Sequence, residues 1–452
     1  MNTHDPRKRR FIGGMMAGGV LAMTAAPAKP SPAKTRLEPP LTGYNDDYRR
    51  PFSEAEYRQR MQRLRRFMAA AQIDVLNVSS PQGMCYLHGY TASYYMAQSP
   101  TDWIPTASTF VHVDRDELIH FDQDFEQGLL AATSIVKDPV LVQSSSSSGE
   151  ARMVEMLAHL RAKGWLSKVT TIGLELYSFT PPPAISMAYQ AVLRSQGFKV
   201  VDGTAAIRGV QKVKSAEELT YIRQAVTICE IGHRAIVDSF QDGITQLDLW
   251  GNALHAMYKA GGGPAGLNQG IVSGPLFAGH GISGTRRVRK GELFILDLCG
   301  VVHRYHGNLL RTYFAGDPPK DLAQRLADSA GAYPVLASAA RPAATVGRVV
   351  AELGRYYQTT SMNKEFCYLL GYELGISFPP DWVNEWYFTD ADTLPPRSER
   401  PFEERTVTNF ESMYWYGSGS TRYVVGNVDT VIYEGPEAQI LGSLPRTLIS
   451  VA

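Results

Sequence analysis

The stretch from Gly291 to Ala315 reads GELFILDLCGVVHRYHGNLLRTYFA. Two apolar runs with strand character flank a turn region, the pattern of two strands folded back on each other. The first run sets one carboxylate, Asp297, among Leu293, Phe294, Ile295, Leu296 and Leu298. An unpaired charge there is expensive. Asp297 therefore either makes a structural hydrogen bond or salt bridge, with Arg311 on the returning strand as the available cation, or it has a catalytic or ligating role.

Upstream, Ser215 and Glu218 form a Ser-x-x-Glu capping box that opens a long helix. Its apolar positions Leu219, Ile222, Val226, Cys229, Ile236 and Phe240 follow helical spacing, which reads Cys229 as core. A second helix is expected near 246–259, with strands from Gly270 onward. Before Arg208 the pattern alternates: a helix from Ser53 to Ala71, a short apolar strand at Val75–Val78, then helix and strand signals to about Val201. The class is α/β (α+β). The expected organisation is a two- or three-layer α/β domain over 49–207 and a second domain over 208–452.

A chain of 452 residues has room for two such domains. With 45 Lys+Arg against 44 Asp+Glu the formal net charge is +1, which gives no electrostatic reason for a nucleic-acid or charged-membrane partner. A small-molecule ligand is the better expectation. Residues 1–28 carry Arg7, Lys8, Arg9 and Arg10 before an apolar, small-residue run that ends at Ala26-Pro27-Ala28. This reads as a secretory signal of the twin-arginine type, cleaved near Ala28, followed by a Pro-rich linker over 29–48. The run is short for a membrane span. The expected location is periplasmic or exported. Cys85, Cys229, Cys299 and Cys367 contain no Cys-x-x-Cys pair and so encode no zinc knot or thioredoxin-like site.

Several landmarks occur in order over residues 50–435: Tyr86-Leu87-His88-Gly89-Tyr90, Arg208 through Glu218, Gly279-His280-Gly281, Asp297, Gly371 to Gly375 and Phe410-Glu411. In that order they resemble the creatinase, prolidase and methionine aminopeptidase superfamily, the pita-bread fold. The resemblance implies a creatinase-type amino-terminal domain followed by a pita-bread domain. In the metallopeptidase branch two aspartates, one histidine and two glutamates hold two metal ions. Here Asp297 and Glu411 stand at ligand positions, while Asn308, Tyr372 and Val428 occupy the other three. No metal cofactor is expected from that set. A shift of one residue would exchange Val428 for Asp429, and on a strand that shift reverses the face.

Within the superfamily, creatinase and ectoine hydrolase have metal-free pockets. Arg304-Tyr305-His306, Leu309, Arg311-Thr312 and Phe378-Pro379-Pro380-Asp381-Trp382 are similar to the ectoine hydrolase pattern. Tyr95 and Gln98 are similar to a tyrosine and a glutamine that close over its substrate. The pattern departs at Asp297, where a glutamate nucleophile is expected; the shorter side chain retracts the carboxylate by about 1.5 Å.

Without a metal, another base must activate water, whose pKa is near 15.7 in bulk. The resemblance implies hydrolysis of a C–N bond in a small amidine, guanidine, cyclic amide or peptide-like substrate. Asp297 or Glu411 would activate water or attack directly, and His280 and His306 would move protons. Tyr95, Gln98, Asn308, Tyr372 and Trp382 would contact substrate, and Asp381 and Glu385 would supply counter-charges. Family members with this first domain are usually dimers, which implies a homodimer. Two other readings stay open: a metal-dependent Xaa-Pro peptidase or lyase of the same fold, and a non-catalytic binding protein.

Overall fold

The computed structural model describes residues 50–452 apart from 98–106, 143–147, 169–170, 268–269, 274–280, 342, 361–362, 383 and 420–421. The expected signal and linker lie outside the described residues, as do Gln98 and His280.

Near the amino terminus, the helix Glu54–Ala70 is capped by Ser53, whose hydroxyl accepts from the Glu56 amide at 3.1 Å. Six strands form the first sheet: β1 Val75–Val78, β2 Ser108–His112, β3 Leu118–Gln123, β4 Val140–Val142, β5 Thr171–Leu174 and β6 Lys199–Asp202. Their order is β4-β3-β2-β1-β5-β6, a mixed sheet with β5 and β6 parallel to β1. Helix Thr204–Lys212 then leads out of this sheet.

Nine strands form the second sheet. They are β7 Ile271–Ser273, β8 Leu293–Val302, β9 Tyr305–Ala315, β10 Phe366–Tyr372, β11 Trp386–Tyr387, β12 Thr406–Tyr416, β13 Tyr423–Tyr433, β14 Gln439–Ile440 and β15 Ile449–Val451. The main path runs β11-β10-β12-β13-β9-β8-β7, with β14 on β13 and β15 on β9. The Gly291–Ala315 stretch is the hairpin β8–β9, paired from Leu293↔Phe314 to Val302↔Tyr305. Its two turn residues, His303 (φ 48°) and Arg304 (φ 70°), take the left-handed region that a two-residue turn of matching twist requires. Glycine or asparagine is usual there. Arg304 is held by donating to the carbonyls of Ser377 (2.6 and 3.0 Å) and Pro264 (2.6 Å) while its guanidinium lies over Phe378.

The helix Ala216–Ser239, opened by the Ser215/Glu218 capping box, packs against one face of this hairpin. The approach is close enough that a Cβ on Gly300 would sit 2.0 Å from the Ala225 carbonyl oxygen. Cys229 is buried in that contact and donates to the carbonyls of Leu298 and Gly307, a packing role. Helices Lys320–Ala339 and Val346–Thr359 bury Leu326, Leu336, Val349 and Leu353 against Phe410, Tyr414 and Val431 of β12 and β13. Leu298, Gly300, Phe410 and Tyr414 thus face helices, and the period of two along a strand turns Asp297 and Glu411 to the other side. Among the described residues no helix is long and apolar enough to cross a membrane.

Candidate functional site

Strand register assembles the site. One row of paired residues crosses the sheet: Leu370↔Glu411, Glu411↔Val428, Val428↔Leu310 and Leu310↔Asp297. Paired residues share a face, so the two carboxylates lie in one row with Val428 and Leu310 between them. They look into a cleft of about 1090 Å³, whose walls include Ile295, Tyr368, Tyr372, Trp382, Trp386 and Phe388. Tyr372 stands edge-on to both Trp382 (centroids 6.1 Å apart) and Trp386 (5.8 Å).

The next row, Asn409↔Thr430 on one side and Asn308↔Cys299 on the other, supplies the support. Asn308 Nδ2 donates to Asp297 Oδ1 at 2.7 Å, and Asn308 Oδ1 accepts from Asn409 Nδ2 at 3.2 Å. The same Asn409 nitrogen donates to Glu411 Oε1 at 3.0 Å. Two carboxamides thereby connect the two carboxyls in a continuous chain. Thr430 fixes one end by exchanging hydrogen bonds with the Asn308 backbone (2.8 and 3.0 Å), and the Tyr372 amide fixes the other by donating to Asn409 Oδ1 (2.8 Å).

Among the described residues no fixed cation offsets these two groups. Enclosure by the protein pushes the Asp297 carboxyl up to about 7, against the opposing effect of the Asn308 hydrogen bond. Burial first, and the Asp297 charge second, push Glu411 up to about 8, with Asn409 and the Tyr368 hydroxyl acting the other way. Near neutral pH the pair is therefore divided between a protonated and an ionised carboxyl. Burial, reinforced by these two acids, keeps the Tyr372 phenol protonated.

The five positions at which the resemblance implies metal ligands do not fit a two-metal site. Val428 is apolar and faces the cleft, Tyr372 is a protonated phenol, and Asn308 turns its amide nitrogen toward Asp297 while its oxygen is taken by Asn409. Among the described residues no group of three or more His, Cys, Asp and Glu converges as metal ligands do. Asp429 does not repair the deficit. It points to the opposite face, fully buried, where Arg311 (2.7 Å) and Arg446 (2.9 Å) hold it. The same pairing removes Arg311 as the partner of Asp297: Arg311 is registered with Leu296 and so lies on the other side.

The remaining expected residues are placed as follows. Tyr372 and Trp382 line the cleft with the two acids, and Asn308 lies directly behind Asp297. His306 does not join them. Its Nε2 accepts from the Gly266 amide at 2.9 Å and its Nδ1 lies 3.3 Å from the Gly375 carbonyl, while burial lowers its pKa to about 3. A neutral ring with both nitrogens engaged by backbone ties two loops together and is not poised to shuttle protons. Tyr95 is also elsewhere: its hydroxyl donates to the Pro379 carbonyl at 2.7 Å, and the residue borders a separate small cavity with Tyr90, Asp122 and Glu126. Asp381 and Glu385 are not free counter-charges, being paired with Arg208 and with Lys212 and Arg400. The sequence motifs do not single out Asn409 or Tyr368. Asn409 was readable from strand periodicity, two residues before Glu411 on the same face; Tyr368 enters only through the pairing of β10 with β12.

Comparison with known proteins agrees with this fold. Residues 60–212 match the creatinase/prolidase N-terminal domain and residues 220–433 match metallopeptidase family M24. An uncharacterized hydrolase/peptidase of Sinorhizobium fredii is 27% identical over 344 residues, covering 73% of this chain and 83% of that protein. The ectoine hydrolase of Halomonas elongata is 24% identical over 385 residues, covering 81% and 90%. The crystal structure of an X-Pro aminopeptidase from Thermotoga maritima superposes with a TM-score of 0.69 at 15% identity, over 86% of this chain and 99% of that one. With two domain matches in series and a mixed α/β fold shared with the solved X-Pro peptidase, the chain belongs to the creatinase/prolidase pita-bread superfamily.

Proposed function

We propose that this chain, a hydrolase/peptidase of the M24 family, is a metal-independent enzyme that hydrolyses a C–N bond in a small amidine, guanidine, cyclic amide or peptide-like substrate. The observation that carries the reading is the carboxyl pair. Asp297 and Glu411 share one face and are bridged by Asn308 and Asn409, in a cleft whose described lining holds no Lys, Arg or His. Metal ions in such a row would demand further carboxylates to offset their charge; here the row offers carboxamides and a valine. Likeness to the Halomonas elongata ectoine hydrolase supports the C–N substrate class.

In the reaction, the ionised carboxyl, Asp297, accepts a proton from water as the water oxygen adds to the carbon of the C–N bond. The protonated carboxyl, Glu411, gives its proton to the departing nitrogen as that bond breaks. Proton exchange with solvent then restores the pair. General acid–base assistance of this kind contributes roughly 10² to 10⁴ in rate. The Tyr372 hydroxyl donates to the charge that develops on the adduct, and aromatic walls suit a planar cationic group. His280, outside the described residues, keeps its proposed role in proton transfer.

The test is release of ammonia or amine from ectoine, creatine, methylated guanidines and Xaa-Pro dipeptides, with metal analysis of the purified protein. Turnover by metal-free protein is expected. Near-stoichiometric Mn, Fe or Zn, required for turnover, would overturn metal independence. Full activity in Glu411→Ala would overturn the mechanism. Export through the twin-arginine-type signal and a homodimeric state are part of the same proposal; cell fractionation with amino-terminal sequencing, and light scattering of the mature chain, test them.

A further inference from the structure

Three aromatic residues of the cleft wall, Tyr372, Trp382 and Trp386, come from the stretch 371–387, whose ends pair as Gly371↔Tyr387 and Tyr372↔Trp386 and whose described residues in between form isolated bridges rather than a ladder. Each is next in sequence to an acid that does not line the cleft: Tyr372-Glu373, Asp381-Trp382 and Glu385-Trp386. All three acids pair with cations of one short segment. Lys214 Nζ lies 2.6 Å from Glu373, Arg208 pairs with Asp381, and Lys212 lies 3.4 Å from Glu385.

The first two pairs are well enclosed, with side-chain exposures of 1% and 3% for Lys214 and Glu373 and 14% and 13% for Arg208 and Asp381. Removing one partner from such a pair leaves an uncompensated charge. The Glu373 carboxylate also accepts from Asn384 at 2.9 Å, and Lys214 donates to the Lys212 carbonyl at 2.9 Å. Lys212 is shared with Glu403 at 2.7 Å in more open surroundings, so its hold on Glu385 is the weakest of the three. The cations stand where the first domain ends. Helix Thr204–Lys212 buries Ile207 and Val210 in the same core as Val78 of β1 and Tyr372 of β10. Arg208 also acts on the buried Glu175 carboxylate, which accepts from the Ser79 and Ser80 amides at the end of β1.

We propose that Arg208 and Lys214 are positioning residues for the cleft. They grip the outer edge of 371–387 through the acid beside each aromatic residue, hold Tyr372 and Trp382 toward Asp297 and Glu411, and couple this wall to the first sheet. The inference rests on the cleft being the ligand site of the proposed function.

The experiment compares the wild-type mature chain with Arg208→Gln, Lys214→Met, Asp381→Asn and the charge-conserving Arg208→Lys. Hydrogen exchange is read by mass spectrometry on peptides of 371–387 and, as control, of β12. Affinity for benzamidine, a planar amidinium cation, is read by calorimetry. Arg208→Gln is expected to speed exchange across 371–387 and weaken benzamidine, each by about tenfold, with β12 unchanged. Arg208→Lys should restore most of both. Asp381→Asn should reproduce Arg208→Gln, and the double variant should be no worse than either single one. Unchanged exchange in both Arg208→Gln and Lys214→Met would overturn the proposal. So would an equal rise in β12, or a rise in exchange with undiminished benzamidine affinity. If Lys214→Met does not fold, the Arg208 and Asp381 variants decide. If the wild-type chain does not bind benzamidine, the amidine reading of the cleft falls, while the exchange comparison and its Arg208→Lys rescue still decide the positioning role.

Discussion

Val428 and Asp429 are neighbours on β13, yet they belong to opposite sides of one sheet and to opposite solutions of the same electrostatic problem. On the helix-covered side, Asp429 is fully buried and met by two guanidinium groups, Arg311 and Arg446. On the cleft side, Asp297 and Glu411 are enclosed and, among the described residues, find carboxamides and a phenol as hydrogen-bond partners, and both carboxyls are pushed upward. A buried charge is tolerated when paired and hydrogen-bonded, and it changes protonation when it is not. The first arrangement stabilises the fold. The second keeps a proton available near neutral pH, a property that suits the acid–base role proposed for the pair rather than stability.

The contrast is most sharply broken by exchanging the two roles in turn. Asp297→Asn is expected to reduce turnover about 10² to 10⁴-fold while leaving urea stability unchanged or raised, because it removes a charge that lacks a counter-charge. Asp429→Asn should do the reverse, costing about 3–5 kcal/mol in urea unfolding because it strands two arginines; equal losses from the two substitutions would erase the distinction. Stability should also carry the mark of the cleft pair as pH changes. In the unfolded chain these carboxyls release their protons near pH 4, whereas in the folded chain they do so near about 7 and about 8. The folded state thus holds protons that the unfolded state has lost, and stability falls from about pH 4 to about pH 8, then levels. Chemical denaturation across that range should show a shallower slope in Asp297→Asn/Glu411→Gln. Turnover should be bell-shaped around neutral pH, since it needs one carboxyl in each form. The smallest effect is expected from Asn409→Leu. It should cost about 1–3 kcal/mol through the polar partners it leaves unmet, with a measurable shift of the bell because Glu411 loses a donor.

Much of this was legible in the chain. The capping box at Ser215 and Glu218, the core position of Cys229 and the hairpin around Asp297 follow from local rules, and the structure forms all three. Asp297, Glu411, Tyr372 and Trp382 are candidates from the sequence, and they meet in one cleft. His306 and Tyr95 were named with equal reason and do not join them, because their ring nitrogens and hydroxyl go to the backbone of other loops. No pattern of residue types shows where a side chain's hydrogen bonds will be spent.

The sequence by itself determined the two-part order of the chain, the strands and helices around the hairpin, and the unusual residues at 308, 372 and 428, since these depend on periodicity, capping and residue identity. Only the tertiary structure decided which way those residues face. The choice between Val428 and Asp429 is a shift of one position, invisible in composition, and it is settled by the row Leu370–Glu411–Val428–Leu310–Asp297. A strand presents alternate residues to opposite faces, so its pairing with distant strands determines which residues enter the site.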